Sequence, residues 1–502
     1  MAQSSTVLPQ SAAPAFRLAK VLGVLAIAAS AVANEYGAGI NYVAVQSLSV
    51  YPMMRGLVPL AMFATGIFLL PKVFLYVRYA RFLPRAGSAY VWIGRSLSPP
   101  VSFVVNFVWW VGITTAMGVV AFAFGTFLGQ ALVGLGAPWG AAILTPGGHV
   151  VVGLAAIWII YGVHATGVHR YGLLATVLLA VIVVTAVTIS IIGFVTSPET
   201  FVRLATAKAG TTLAAPATLG PPTLSTFISV CTLFIFAYGG LSAAPSLGGE
   251  ARDAGRTMPR GIIWGWAIAL VLFTLVAAAL FHVAPWWAIV GLITAGKSSY
   301  VTAPGLISLV APAGISSALN VAVALIVGKT LAPQMMTSSR LLFAWAQDHV
   351  LPEVFARTSA RHVPLAALTL SAGLGSAFLI QAAFVGWSLG VVVRSFSILL
   401  VLFFVAVSAL NLKWNPRFAG VEWAREISAG SGVVVAALLS IAIALALIAS
   451  VLVVPKTPLY FQPLFQGAVA ALIALWIYAA AKARARRTGV DLAVVGTEPP
   501  LE

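Results

Sequence analysis

Charge is scarce in this sequence: only 8% of its 502 residues are Asp, Glu, Lys or Arg, whereas soluble proteins carry about 25%. This shortage excludes an ordinary soluble domain. The lone cysteine, Cys231, cannot form an internal disulfide. No spacing of His, Cys, Asp or Glu indicates a metal site, and no Gly-rich phosphate-binding loop indicates ATP hydrolysis. We therefore expect no metal and no cofactor.

Apolar residues are abundant instead, at 61% of the chain, and the mean hydropathy is +1.03. Polar loops divide the sequence into about twelve apolar stretches, each close to the roughly 20 residues that a membrane-spanning helix needs. We predict an all-α membrane protein with about twelve transmembrane helices. Their predicted bounds are 19–47, 57–77, 101–128, 150–165, 172–196, 224–248, 261–283, 314–336, 364–383, 389–410, 431–454 and 464–481.

The net charge of +17 lies in short loops and not on a soluble domain, so we expect no nucleic-acid partner. With the N-terminus inside, the cytoplasmic side holds most basic residues. These are Arg17, Lys20, Arg78, Arg81, Arg85, Arg95, Arg170, Arg252, Arg256, Arg260, Arg340, Arg357, Arg361, Lys413, Arg417, Arg425, Lys482, Arg484, Arg486 and Arg487. The other side has Arg55, Arg203, Lys208, Lys297 and Lys456. This bias predicts that both termini are cytoplasmic, and we expect a prokaryotic inner membrane.

Two predicted helices contain glycine clusters at mid-depth. The first has Asn34-Glu35-Tyr36-Gly37-Ala38-Gly39-Ile40, and the sixth has Phe236-Ala237-Tyr238-Gly239-Gly240-Leu241. Because glycine costs about 1 kcal/mol relative to alanine within a helix, the clusters predict that helices 1 and 6 are broken. Close packing of neighbouring helices is the alternative explanation.

The second break follows the first by five spans, so the two halves enter the membrane in opposite orientations, as in an inverted repeat. Free N–H groups at a half-helix N-terminus bind an anionic group, and unwound carbonyls bind a cation. We therefore expect Gly37 to Ile40 to bind a carboxylate and Ala237 to Gly239 to bind an ammonium group. The predicted substrate-binding residues are Glu35, Tyr36, Gly37, Ala38, Gly39, Ile40, Phe236, Ala237, Tyr238, Gly239 and Gly240.

Four motifs resemble the amino acid-polyamine-organocation transporter superfamily. They are Gly37-Ala38-Gly39, the segment Leu83 to Tyr90 with Ser88 in place of a glycine, the segment Phe234 to Pro259, and Ser338-Ser339-Arg340 continuing to Asp348 and Pro352. The resemblance implies a LeuT-like 5+5 inverted repeat plus two C-terminal helices. It also implies alternating access and transport of amino acids or amines. By this likeness Phe236 would cover the bound solute.

Ionisable residues inside spanning helices are usually functional. Glu35 adjoins the first break, where it could attract an amine, carry a coupling proton or pair with a cation. Since helix 8 borders helix 1 in LeuT-like folds, we expect the Lys329 ammonium to replace a sodium ion between them. It would contact Glu35 or first-helix carbonyls and serve in coupling. Lys72 is expected to extend to the cytoplasmic surface, without a role. Arg394 is expected to extend to the outer surface, and the alternative is that it lines an outer vestibule; it is not counted as a site residue.

The sequence thus predicts a secondary transporter for amino acids, sodium-independent, with proton coupling and exchange both open. An amine or polyamine carrier using Glu35 as counter-ion is the alternative, and a membrane-embedded enzyme or a channel is remote. The expected partners are a small-molecule substrate and the lipid bilayer; the oligomeric state is not predicted. The predicted division is a cytoplasmic tail (1–16), a transporter domain (17–481) and a second tail (482–502). Within the domain lie two repeats (17–196 and 224–411) and two added helices (429–481).

Overall fold

The computed structural model describes residues 22–84, 87–166, 171–210, 212–214, 219–359, 361, 363–451, 458–487 and 491–492. The predicted N-terminal tail and most of the predicted C-terminal tail lie outside these ranges. So do five of the loop cations used to predict orientation, namely Arg17, Lys20, Arg85, Arg170 and Lys456.

The described residues are helical and form no β-strand. The α-helices are α1 (Val24–Glu35), α2 (Ala44–Val50), α3 (Val58–Phe68), α4 (Leu70–Phe82), α5 (Ala89–Ser96), α6 (Pro99–Gly134), α7 (Gly140–Ile143), α8 (Pro146–Ala165), α9 (Tyr171–Val195), α10 (Pro198–Ala209), α11 (Leu224–Phe234), α12 (Ala254–Val283), α13 (Trp286–Thr294), α14 (Ala303–Ser308), α15 (Ala313–Lys329), α16 (Leu331–Gln347), α17 (Leu365–Phe384), α18 (Trp387–Trp414), α19 (Glu422–Ile427), α20 (Ser431–Ala449) and α21 (Pro463–Arg487). A π-helical turn covers Gly39–Val43, and 3-10 turns cover Pro52–Leu57, Gly239–Ser242, Ala244–Glu250, Ser298–Tyr300, Glu353–Phe355, Pro416–Phe418 and Leu459–Phe461.

Within the described ranges, ten helical segments are long and apolar enough to cross a membrane. The other two predicted crossings are the first and the sixth, which the structure interrupts, so neither contains one long helix. The prediction of a multi-pass all-α protein with broken helices 1 and 6 is confirmed. A broken helix followed by four continuous crossings occurs twice, while the exact bounds of the two repeats stay a prediction.

The two breaks have different local structures. In the first, α1 ends at Glu35, Tyr36 leaves the helical region with φ −75° and ψ 89°, and the chain resumes through the π-helical turn into α2. In the second, α11 ends at Phe234 and the chain continues as 3-10 turns. The sequence predicts a helical span over 224–248. The structure differs, because the part of helix 6 after its break consists of 3-10 turns and not of α-helix. Adjacent glycines and Pro245, which lacks an N–H, weaken an α-helix there.

The long helix α6 lies at the centre and is buried along most of its length, packed against α8, α15, α17 and α18. Helix α1 packs against α9, α12 and the 3-10 turn Gly239–Ser242, which brings the two breaks together. Large apolar side chains project outward from the peripheral helices α9, α20 and α21, as expected for surfaces that face lipid. Examples are Val184, Ile191, Leu438, Leu472 and Trp476.

Candidate functional site

The two breaks touch each other through glycine. A Cβ atom placed on Gly39 would lie 2.5 Å from the Cα of Ala237, and one placed on Gly240 would lie 2.6 Å from the Cγ of Glu35. Neither position has room for a side chain, because real Cβ atoms do not approach other atoms this closely. The glycines of both segments therefore permit main-chain contact between helices 1 and 6.

A small cavity of about 20 Å³ lies between the breaks. One water molecule needs about 10–15 Å³ of such volume, so the cavity holds about one water and no amino acid in this conformation. Its wall comes from both breaks together with α6, α16 and α18. The lining residues are Asn34, Glu35, Gly37, Ala38, Gly39, Ala116, Val120, Phe236, Gly239, Gly240, Thr330, Gln334 and Arg394.

The predicted substrate-binding set divides into two groups. Glu35, Gly37, Ala38, Gly39, Phe236, Gly239 and Gly240 line the cavity, whereas Tyr36, Ile40, Ala237 and Tyr238 are absent from its wall. Both tyrosines pack on Phe273, with ring centroids 5.8 Å away for Tyr36 and 5.0 Å for Tyr238. The Tyr238 hydroxyl donates to the carbonyl of Met62 at 3.2 Å. In this conformation these tyrosines pack behind the breaks and do not face the cavity.

Glu35 links the two breaks directly. Its side chain is buried, and Oε1 accepts a hydrogen bond of 2.6 Å from the main-chain N–H of Leu241. Among the described residues, its second oxygen, Oε2, is buried without a hydrogen-bond partner. One oxygen therefore satisfies an amide that the broken helix leaves free, and the other remains available to a ligand or a proton.

Lys329 lies at the C-terminus of α15 and reaches the first helix. Its Nζ donates to the carbonyl of Ala33 at 2.7 Å. The sequence predicts that Lys329 contacts either Glu35 or a carbonyl of the first helix, and the structure has the carbonyl contact. Among the described residues, no carboxylate forms an ion pair with this ammonium. The ammonium thus bridges helices 1 and 8, and its role in coupling stays a prediction.

The expectation that Lys72 extends to the membrane surface is wrong. The side chain is fully buried, its Nζ donates to the Ser242 hydroxyl at 2.7 Å, and it lies 5.1 Å from the centroid of the Tyr76 ring. The packing of α4 against α12 and the second break closes the path to the surface. Lys72 therefore contacts the same 3-10 turn of helix 6 that α1 contacts.

The favoured expectation for Arg394, that it extends to the outer membrane surface, is also wrong. This side chain is buried and lines the cavity, with its guanidinium carbon 5.7 Å from the centroid of the Trp109 ring. Arg394 lies two helical turns inside α18, about 10 Å from the start of that helix at Trp387. An unpaired arginine this deep in an apolar run was the available signal. Sequence reasoning also missed five other residues of the wall, namely Asn34 on α1, Ala116 and Val120 on α6, Thr330 between α15 and α16, and Gln334 on α16.

Two of the family-like motifs meet away from the cavity. The Tyr90 hydroxyl donates a hydrogen bond to the Asp348 carboxylate, joining the segment after helix 2 to the end of helix 8. Burial raises the pKa of the Asp348 carboxyl above its ordinary value, against the opposing effect of the Tyr90 hydrogen bond. Arg85 and Ala86 of the same segment lie outside the described residues.

Comparison with known proteins supports the family resemblance that the sequence motifs indicate. A family model described as amino acid permease matches residues 20–479. The branched-chain amino acid permease of Lactococcus lactis subsp. cremoris is 26% identical over 329 residues, which are 61% of this chain and 66% of the relative. The D-serine/D-alanine/glycine transporter of Escherichia coli is 30% identical over 152 residues, 30% of this chain and 31% of that protein.

The aligned regions thus span just under two thirds of the first relative and about a third of the second. Both relatives are named as transporters and neither as an enzyme. The family model covers nearly the whole chain, including both breaks. The chain belongs to the amino acid permease family, within the amino acid-polyamine-organocation superfamily.

Proposed function

We propose that this protein is a secondary transporter that moves amino acids across the cytoplasmic membrane by alternating access. The observation that carries the proposal is the contact of the two helix breaks beside a small cavity that both of them line. Broken helices that meet at the middle of a membrane protein present main-chain N–H and carbonyl groups to a solute. The names of the relatives, a branched-chain amino acid permease and a D-serine/D-alanine/glycine transporter, support amino acids as the substrate class.

The substrate would bind at the cavity that the main chains of both breaks line. The carboxylate approaches the N–H groups from Gly37 to Ile40, and the ammonium group approaches the carbonyls from Ala237 to Gly239. Phe236 lies in the cavity wall and covers the solute. Since the cavity admits about one water, the present conformation is closed, and transport requires a movement that opens it to each side in turn.

The proposed coupling is sodium-independent. The Lys329 ammonium donates to a carbonyl of helix 1, where it supplies the positive charge that a sodium ion would otherwise bring between helices 1 and 8. Glu35, with one unpaired oxygen beside the cavity, is the proposed proton-binding group. We place both termini in the cytoplasm and the protein in the inner membrane, on the distribution of basic residues in its loops.

An amine carrier is the second candidate, and the unpaired Oε2 atom of Glu35 favours it. A buried carboxylate oxygen without a donor would attract an ammonium group. In that case Glu35 would be the counter-ion of the substrate, and the ligand would need no carboxylate. Ligands with and without a carboxylate separate the two candidates.

The test is uptake of radiolabelled solutes into proteoliposomes that contain the purified protein, with empty liposomes as the control. The panel consists of neutral, acidic and basic L-amino acids, D-serine, simple amines and polyamines. Uptake of an amino acid that is accelerated by the same amino acid inside the vesicles supports a carrier. Uptake of amines alone would replace the proposal with the second candidate, and flux without acceleration by internal solute would indicate a channel.

A further inference from the structure

Arg394 occupies an unusual position beside the second break. A Cβ atom on Gly239 would lie 3.8 Å from both Nε and Nη2 of Arg394, and the neighbouring Gly240 faces Glu35. The guanidinium and the carboxylate therefore flank two consecutive glycines, and both side chains line the same cavity. The wall thus contains one group of each charge.

The guanidinium lacks an acceptor. The Nη1 atom of Arg394 is buried without a hydrogen-bond partner, and among the described residues no carboxylate or carbonyl binds the guanidinium. The guanidinium instead lies against the ring of Trp109, with its carbon 5.7 Å from the ring centroid. A guanidinium presents five N–H donors, and an unpaired buried charge is costly unless a ligand pairs with it. This deficit points to an anionic group that is brought into the cavity.

The other membrane-embedded cations do not share this deficit. Lys72 donates to the Ser242 hydroxyl and Lys329 to the Ala33 carbonyl, so each ammonium already has an oxygen partner. These partners are neutral, and Glu35 is the acidic residue at the cavity wall. Positive charge therefore exceeds negative charge around the breaks. A polycationic ligand would be repelled there, whereas a carboxylate would reduce the excess.

We propose that Arg394 binds a carboxylate of the substrate and so restricts this carrier to amino acids, excluding amines and polyamines. This inference rests on the proposed function and identifies the ligand chemistry of the same cavity. A guanidinium matches a carboxylate by two parallel hydrogen bonds, which lysine cannot reproduce. The carboxylate comes either from the α-carbon or from an acidic side chain. The ammonium group of the same molecule then lies at the carbonyls from Ala237 to Gly239, as in the proposed function.

The test measures dissociation constants by calorimetry on the purified protein. The ligand pairs are L-valine with valinamide and L-glutamate with L-glutamine, each differing in one carboxylate. The variants are Arg394→Gln and Arg394→Lys. Lys413→Gln is the control, because it removes a positive charge from the exposed end of the same helix, α18, remote from the cavity wall.

In the wild type, we expect the carboxylate-bearing member of at least one pair to bind about tenfold to a hundredfold more tightly, as for a hydrogen bond to a charged group. Arg394→Gln removes that preference, Arg394→Lys retains part of it, and Lys413→Gln leaves the ratio unchanged. A lost preference between L-valine and valinamide assigns the α-carboxylate. If Arg394→Gln loses only the preference for L-glutamate over L-glutamine, the arginine binds the side-chain carboxylate.

Two results would overturn the inference while leaving the proposed function intact. One is an unchanged ligand preference in folded Arg394→Gln, and the other is equal binding of both members of each pair by the wild type. The second comparison needs no variant, so it decides the matter even if Arg394→Gln does not fold. Failure of the proposed function has a different signature, namely no uptake of any amino acid by the wild type in proteoliposomes.

Discussion

The Glu35 carboxylate of the first helix accepts a hydrogen bond of 2.6 Å from the main-chain N–H of Leu241 in the sixth helix. This bond ties one helix break to the other through a side chain, because the 3-10 turn at Gly239–Ser242 leaves the amide without an α-helical acceptor. Glu35 therefore adds a side-chain hydrogen bond to the main-chain contacts between the breaks, and we expect changes at Glu35 to affect stability as well as transport.

Replacing Glu35 distinguishes its hydrogen bond from its charge. Glu35→Ala leaves the Leu241 N–H buried and unpaired, which costs about 1–3 kcal/mol of unfolding free energy. Glu35→Gln keeps an oxygen acceptor at the same place and retains most of that stability. Thermal unfolding of the two variants in one detergent measures the difference. Equal losses in both variants would mean that the negative charge, and not the hydrogen bond, stabilises the contact.

Gly39 is predicted to tolerate no side chain. Gly39→Val places a Cβ 2.5 Å from the main chain of Ala237, and overpacking of this kind costs about 1–3 kcal/mol. We expect transport to fall by about tenfold or more, since the breaks must separate to accommodate the new atoms. The matched control is Gly162→Val in α8, where a Cβ meets nothing within 4 Å.

Uptake per folded protein is the measurement, with both variants checked for a single symmetric peak on size-exclusion chromatography. The control should transport like the wild type. If the two variants transport equally well, the contact between Gly39 and Ala237 is not needed for transport.

Lys329 is predicted to replace sodium. In proteoliposomes, wild-type uptake should be the same with sodium or potassium outside and should increase with an inward proton gradient. Lys329→Gln removes the positive charge while keeping a donor for the Ala33 carbonyl, so we expect accumulation driven by the gradient to be lost. Exchange of internal for external substrate at equal pH should persist.

Lys413→Gln at the end of α18 is the control, because this exposed lysine is remote from the breaks. It should leave the gradient response unchanged. Uptake that requires sodium in the wild type would refute the proposed role of Lys329, as would a gradient response retained by Lys329→Gln.

The Tyr90 and Asp348 pair predicts a pH-dependent stability. Burial raises the folded-state pKa of Asp348, so the folded protein holds this proton more tightly than the unfolded chain. The corresponding stability is present at low pH and is lost as the pH rises from about 4, the ordinary pKa of aspartate, through the raised folded-state value.

Asp348→Asn removes this titration, so its unfolding temperature should depend less on pH than that of the wild type. Tyr90→Phe removes the hydrogen bond, and a double-mutant cycle at neutral pH should give a coupling of about 1 kcal/mol or more. A coupling near zero would mean that the hydrogen bond contributes nothing. Parallel pH profiles for wild type and Asp348→Asn would refute the raised pKa.

Much of the fold follows from local patterns in the sequence. Long apolar runs predict the spanning helices, because a helix in lipid needs about 20 apolar residues whatever surrounds it. The glycine clusters at Gly37-Ala38-Gly39 and Gly239-Gly240 predict both breaks, because the cost of glycine in a helix is a local property. Glu35 and Lys329 were recognised as candidates from depth alone, since charge inside a membrane is expensive.

The tertiary structure alone decided which side chains face the cavity. Arg394 and Lys72 were expected at the membrane surfaces, yet both are buried beside the second break. Depth along a helix can be counted in residues. The direction in which a side chain points, and whether neighbouring helices close its route to water, depend on the rotation and packing of helices distant in sequence. For the same reason the sequence by itself determined that two breaks exist, and only the packing of α1, α4, α11 and α18 decided which charges surround them.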